Sequence, residues 1–165
     1  MEDATKEMQA GERKLAEMDF EGALSKFKRA AKLDPASADA YFGIAEAALG
    51  VPKVPAEEVI AAYKRAIELA PDNPFHHARL GAFCIEAGQW ELAEQSYNKA
   101  AEVDPENGYL YLSEFGIEYY LSITEKLDPA TPPKVREDAG RKALKYVLRA
   151  MRMSEPDALR LLKGP

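Results

Sequence analysis

The chain has 165 residues, a mass of 18.3 kDa, 47% hydrophobic and 30% charged residues, and a net charge of −6. These values fit a folded protein with a sizeable core and do not fit a disordered one. No apolar run reaches the roughly 18 to 20 residues that a membrane-spanning helix needs, and one cysteine, Cys84, cannot form an internal disulfide. The acidic start, Met1-Glu2-Asp3, lacks the pattern of a secretory signal, so a reducing, cytoplasmic setting is expected.

In chain order, the first amphipathic segment carries Ala10 and Gly11 and ends in the turn Met18-Asp19-Phe20. A second helical stripe follows, Ala23, Phe27 and Ala30, closed by Pro35. The next pair has Tyr41, Ile44, Ala45 and Ala48, the longer turn Gly50-Val51-Pro52-Lys53-Val54-Pro55, then Val59, Tyr63, Ala66 and Pro71. A third has His77, Leu80, Gly81 and Cys84, the turn Ala87-Gly88-Gln89-Trp90, then Ala93, Tyr97, Ala100 and Pro105. Offsets of four and three place each stripe on one helical face. The aromatics recur after 36 and 34 residues, and so do the prolines, which cannot continue a helix. A helix pair of this length cannot bury its faces alone, but stacked pairs can.

These copies resemble the tetratricopeptide repeat family, most closely in Leu80-Gly81, Trp90, Ala93, Tyr97, Ala100 and Pro105. The first copy matches in Gly11, Phe20, Ala23, Phe27, Ala30 and Pro35. The resemblance implies an all-α fold, a right-handed superhelix of antiparallel helix pairs. The expected organisation is a single domain over 1–165, with repeats at 4–37, 38–73 and 74–107. A divergent pair follows at 108–155, and a capping helix at 156–165 closes the chain.

The divergent pair opens with a helix from Gly108 to about Leu127 that is apolar on nearly every side, a pattern expected of a helix buried on several sides. After a proline-bearing loop, a helix is predicted from about Arg136 to Met153, with Ala143, Val147 and Ala150 as a weak fourth stripe. Leu144, Val147, Leu148 and Met151 form its expected apolar face. Ser154-Glu155-Pro156-Asp157 starts a last helix, Ala158 to Lys163.

Nothing in the chain resembles catalytic or cofactor machinery. His76 and His77 are adjacent, so on a helix they diverge by about 100° and make a poor metal pair; His77 is expected in the core and His76 at the surface. Cys84 lies between Leu80 and Ala87 on an apolar face and reads as core. Glu57 and Glu58 open a helix and suit its positive end. There is no nucleophile elbow and no glycine-rich phosphate loop. No enzyme activity, cofactor, metal site or small-molecule substrate is expected.

The family resemblance implies a concave channel lined by the first helix of each pair. By register its residues are Met8 and Glu12; Phe42, Glu46 and Leu49; Phe75 and Arg79; and Tyr109, Leu112 and Tyr120. Phe42 and Phe75 lie off the packing stripes of their helices, as side chains of a binding surface do. One branch of the family clamps the Glu-Glu-Val-Asp terminus of heat-shock chaperones with lysines, asparagines and an arginine. The matching positions are Met8, Glu12, Gly43, Phe75 and Arg79, of which only Arg79 fits, so that ligand is not expected.

Residues 134–165 carry a net charge of +5, leaving −11 in residues 1–133. Arg141, Lys145, Arg149 and Arg152 form a basic stripe suited to an acidic partner or a solvated face. The −11 remainder repels phosphates and disfavours nucleic acid. The implied function is a protein-protein adapter or assembly scaffold, monomeric or homodimeric, holding a peptide or helix in its groove. The alternatives are a chaperone-like factor that shields apolar client segments and an RNA-associated repeat using the basic helix.

Overall fold

The computed structural model describes residues 2–126 and 130–158. The helices are α1 (Glu2–Ala16), α2 (Phe20–Leu33), α3 (Ala38–Leu49), α4 (Ala56–Leu69), α5 (Pro74–Glu86), α6 (Trp90–Val103), α7 (Gly108–Lys126) and α8 (Pro133–Ala150). There is no strand among the described residues. The chain forms two compact units, residues 1–76 and 77–165. The capping helix expected over 156–165 lies outside the described residues beyond Ala158, although Ser154 caps its first turn through the amide of Asp157 at 3.3 Å.

In unit 1 helices α1 to α4 pack in sequence, α1 on α2, α2 on α3 and α3 on α4. Asp19 caps α2 by accepting from the Gly22 amide at 2.9 Å, and Ser37 caps α3 by accepting from Ala40 at 3.2 Å. Phe27 is the pillar of this unit. A Cβ on Gly11 would lie 2.7 Å from Phe27 Cε1, and one on Gly43 would lie 2.6 Å from Cδ1, so α1 and α3 both close on the ring at a glycine. The longer turn at 50–55 also contributes to the core, since Val51 is buried.

In unit 2, α7 packs on α6 and α8 around an aromatic cluster. The Phe115 ring is 5.8 Å from Tyr97, 5.5 Å from Tyr119 and 4.6 Å from Tyr146, the last edge to face. Gly81 on α5 again faces the repeat aromatic, and a Cβ there would fall 2.6 Å from Tyr97 Cδ2. Cys84 is fully buried, as its apolar face required.

Three sequence expectations are corrected here. The expected burial of α7 on several sides does not occur: it buries Leu112, Phe115, Gly116, Tyr119 and Ile123, while Leu110, Ile117, Tyr120 and Leu121 are exposed. Only one side of it meets α6 and α8. On α8 the expected apolar face is displaced, because Leu144 and Met151 are exposed whereas Ala139, Ala143, Tyr146 and Leu148 are buried. Tyr146, one residue before Val147, takes the aromatic role of the fourth stripe. His76 is the third case: it is 3% exposed, with its ring stacked 4.8 Å from Phe42 and its Nε2 3.2 Å from Asn73 Nδ2.

Two helices end in the same backbone turn in the first unit and the second. After α1, Met18 takes φ +58 and the Asp19 amide donates to Lys14 O at 2.8 Å; after α5, Gly88 takes φ +72 and the Gln89 amide donates to Cys84 O at 2.7 Å. A third instance follows α8, where Arg152 takes φ +53 and Met153 donates to Leu148 O at 2.9 Å. Each satisfies carbonyls that the helix end would otherwise leave open.

Candidate functional site

On unit 1 the candidate groove side chains come from α1, α3 and the first turn of α5. Met8 and Glu12 line a cleft of about 450 Å³ together with Thr5, Gln9 and Asp39. Asp39, Phe42, Glu46 and Leu49 follow at helical spacing on α3, which continues the same surface along the helix. Phe42 is half-buried between Tyr63, 5.8 Å away edge to face, and Phe75, 5.4 Å away. Phe75 itself is 55% exposed and Leu49 is 41% exposed. Glu46 accepts a hydrogen bond from the Tyr63 hydroxyl, so it also anchors α4.

In unit 2 the sequence-predicted groove residues are divided. Arg79 is half-buried on α5. Tyr109 is exposed, and Leu112, expected to face the channel, is only 6% exposed. These two border a cleft of about 200 Å³ that also contains Arg149 and Arg152. Tyr120 belongs elsewhere: with Ile117, Leu121 and Leu144 it walls an apolar groove of about 390 Å³ floored by Gly116 and Gly140. Sequence register alone groups Tyr120 with Tyr109, but α8 lies beside that end of α7, so Tyr120 lines a groove with Ala143 and Leu144 instead.

The basic stripe is partly engaged in packing. Arg141 pairs with Glu137 at 2.7 Å, and Arg149 donates to Asn98 Oδ1 at 2.9 Å. Arg152 is not a continuation of the helical stripe, since it lies past the end of α8 in the left-handed turn. Lys145 is exposed. Lys142, outside the predicted stripe, pairs with Glu94 and lies 5.1 Å from the Tyr119 ring centroid. Glu94 also accepts from the Tyr146 hydroxyl at 2.6 Å. Burial works against ionisation of Glu94, but Lys142 and Tyr146 outweigh it and hold the carboxyl below the ordinary value of 4.5. The sequence gives no signal for Glu94 and Tyr146, because α8 departs from the repeat stripe.

Tyr97 repeats the tyrosine-carboxylate contact in unit 2, donating to Glu114 Oε1 at 3.0 Å. Burial, reinforced by Glu114, raises its phenol far above the ordinary value, so the hydroxyl remains a donor. No group of three metal-ligating side chains gathers among the described residues, and no described helix is long and apolar enough to cross a membrane.

Successive helix hairpins with small residues under a repeated aromatic define a helical-repeat interaction scaffold, a class of fold that generally binds without catalysing. The fold is that of tetratricopeptide repeat proteins, and residues 62–95 match the family model for that repeat. A crystal structure of MamA is similar with a TM-score of 0.71 and 20% identity, over 96% of this chain and 82% of that one. MamA from Desulfovibrio magneticus RS-1 gives 0.68 and 19%, over 92% and 75%. YrrB, described as a TPR protein with an unusual peptide-binding site, gives 0.61 and 19%, over 98% and 93%. At these identities the likeness shows the fold. No curated protein matches the sequence.

Proposed function

We propose that the chain is an adapter or assembly scaffold that holds a partner peptide or helix on the α1/α3 face of unit 1. The repeat frame of 4–37, 38–73, 74–107 and 108–155 acts as one domain in this reading. The observation that carries it is Phe75, a large aromatic 55% exposed and seated against Phe42, which stands one helical turn along α3 from Asp39 of the cleft. Aromatic side chains paired at an exposed surface are the type from which interface anchors are drawn. The peptide-binding site named for YrrB, a protein of similar fold, supports the same use of the fold.

Selection from a display library of random peptides against the intact protein tests this. Selected peptides are expected to bind Phe75→Ala at least about tenfold more weakly, in line with an aromatic hot spot of about 2 kcal/mol. Stability should fall by no more than about 1 kcal/mol, the scale of one aromatic pair. Binding that ignores Phe75 and vanishes in Lys145→Glu with Arg149→Glu would move the site to α8. A second reading, chaperone-like cover of apolar segments, is favoured by the exposed groove of Ile117, Tyr120, Leu121 and Leu144 on unit 2.

A further inference from the structure

We infer that the α1/α3 face of unit 1 is selective for a cationic peptide with an apolar anchor. This deepens the proposed function and rests on it. The face presents two chemistries in one strip: Met8, Phe42 and Phe75 supply apolar surface, while Glu12 and Asp39 supply carboxylates. Glu12 and Asp39 are placed on the two walls of the cleft, one on α1 and one in the first turn of α3.

The residues that line the cleft of Met8 and Glu12 include no lysine and no arginine, and neither does the sequence of α3 from Ala38 to Leu49. Lys28, Arg29, Lys32 and Lys53 border a separate cleft of about 530 Å³ formed by α2 and the 50–55 turn, and the α1 cations Lys6 and Arg13 do not line the cleft of Met8 and Glu12. A single-sign face focuses a field on its ligand, so lysine or arginine beside the apolar anchor speeds encounter and excludes acidic peptides. The peptide fitting this pattern has an aromatic or large aliphatic residue for Phe42 and Phe75, with basic residues on the side that meets Glu12 and Asp39.

The same display selection supplies the probe, and its enriched peptides are made synthetically and titrated by fluorescence anisotropy. The expected result is enrichment of lysine and arginine beside an apolar residue. Affinity should fall at least about tenfold in the double variant Glu12→Lys with Asp39→Lys and weaken with added salt, because these charges are screened within about 10 Å at 0.1 M. A third arm uses Glu12→Gln with Asp39→Asn, which removes the charge with little change of shape and should give an intermediate loss. Both variants are judged only after circular dichroism shows wild-type helicity. Peptides without basic enrichment that still depend on Phe75 would overturn the charge selection and leave the groove standing. Peptides that depend on neither Phe75 nor the two carboxylates, or no enrichment at all, would overturn the groove reading itself.

Discussion

The two units solve the same problem in opposite directions. Each buries a repeat tyrosine whose hydroxyl needs an acceptor, and Tyr63 finds Glu46, 17 residues earlier, while Tyr97 finds Glu114, 17 residues later. Seventeen is half the 34-residue period, so each aromatic has one candidate acceptor on either side in sequence. For Tyr63 the later candidate is Leu80, and for Tyr97 the earlier candidate is the same Leu80. Each hydroxyl bonds to the side that carries a carboxylate. At the first copy both candidates, Ala10 and Ile44, lack an acceptor, and that copy carries Phe27. The choice between phenylalanine and tyrosine at this position therefore follows from polar satisfaction, since a buried hydroxyl without a partner is costly.

The most severe way to break this comparison is Phe27→Tyr. The added oxygen would enter a site closed by Gly11 and Gly43 with no carboxylate at either offset, at a cost of about 1–3 kcal/mol. Urea denaturation followed by circular dichroism measures it, and a neutral outcome would refute the acceptor rule.

A smaller effect is expected from Tyr63→Phe and Tyr97→Phe, about 1 kcal/mol each for a lost hydrogen bond. Tyr97 adds a pH signature. Its folded phenol is raised above the ordinary value of 10, so its contribution is fully present below pH 10 and is lost as pH rises beyond it. Denaturation midpoints compared on either side of pH 10 should show the wild type converging on Tyr97→Phe in the alkaline range.

The smallest effect separates the units by their turns. Gly88 adopts its left-handed φ without penalty, whereas Met18 holds φ +58 with a side chain that is 75% exposed. Met18→Gly should raise stability by up to about 1 kcal/mol, offset in part by the entropy of glycine, and Gly88→Ala should lower it by a similar amount. Differential scanning calorimetry resolves both.

Much of the fold is legible because Phe27, Tyr63 and Tyr97 recur in phase with small residues and a terminating proline, and periodicity alone places such stripes in a core. Legibility falls where the period fails. Tyr146 stands one residue ahead of the expected Val147, so the sequence pattern passes over the side chain that packs on Phe115 and binds Glu94. His77 occupies the packing register, which leaves its neighbour His76 to the surface by spacing alone; the burial of His76 depends on Phe42, a contact between helices that no local spacing encodes. Tyr109 and Tyr120 show the same limit on α7. Eleven residues apart, they share nearly one helical phase in an ideal helix, yet neighbouring α8 assigns them to separate clefts.

The composition of α3 also decides how a complex on unit 1 can be trapped covalently. Without a lysine between Ala38 and Leu49, amine-reactive cross-linkers have no attachment point along that helix, and the lysines of α2 would capture bystanders from the other cleft instead. Carbodiimide coupling reverses the bias. It joins a carboxylate directly to an amine without a spacer, so Glu12 and Asp39 become the reactive groups, and a bound peptide carrying lysine supplies the nucleophile.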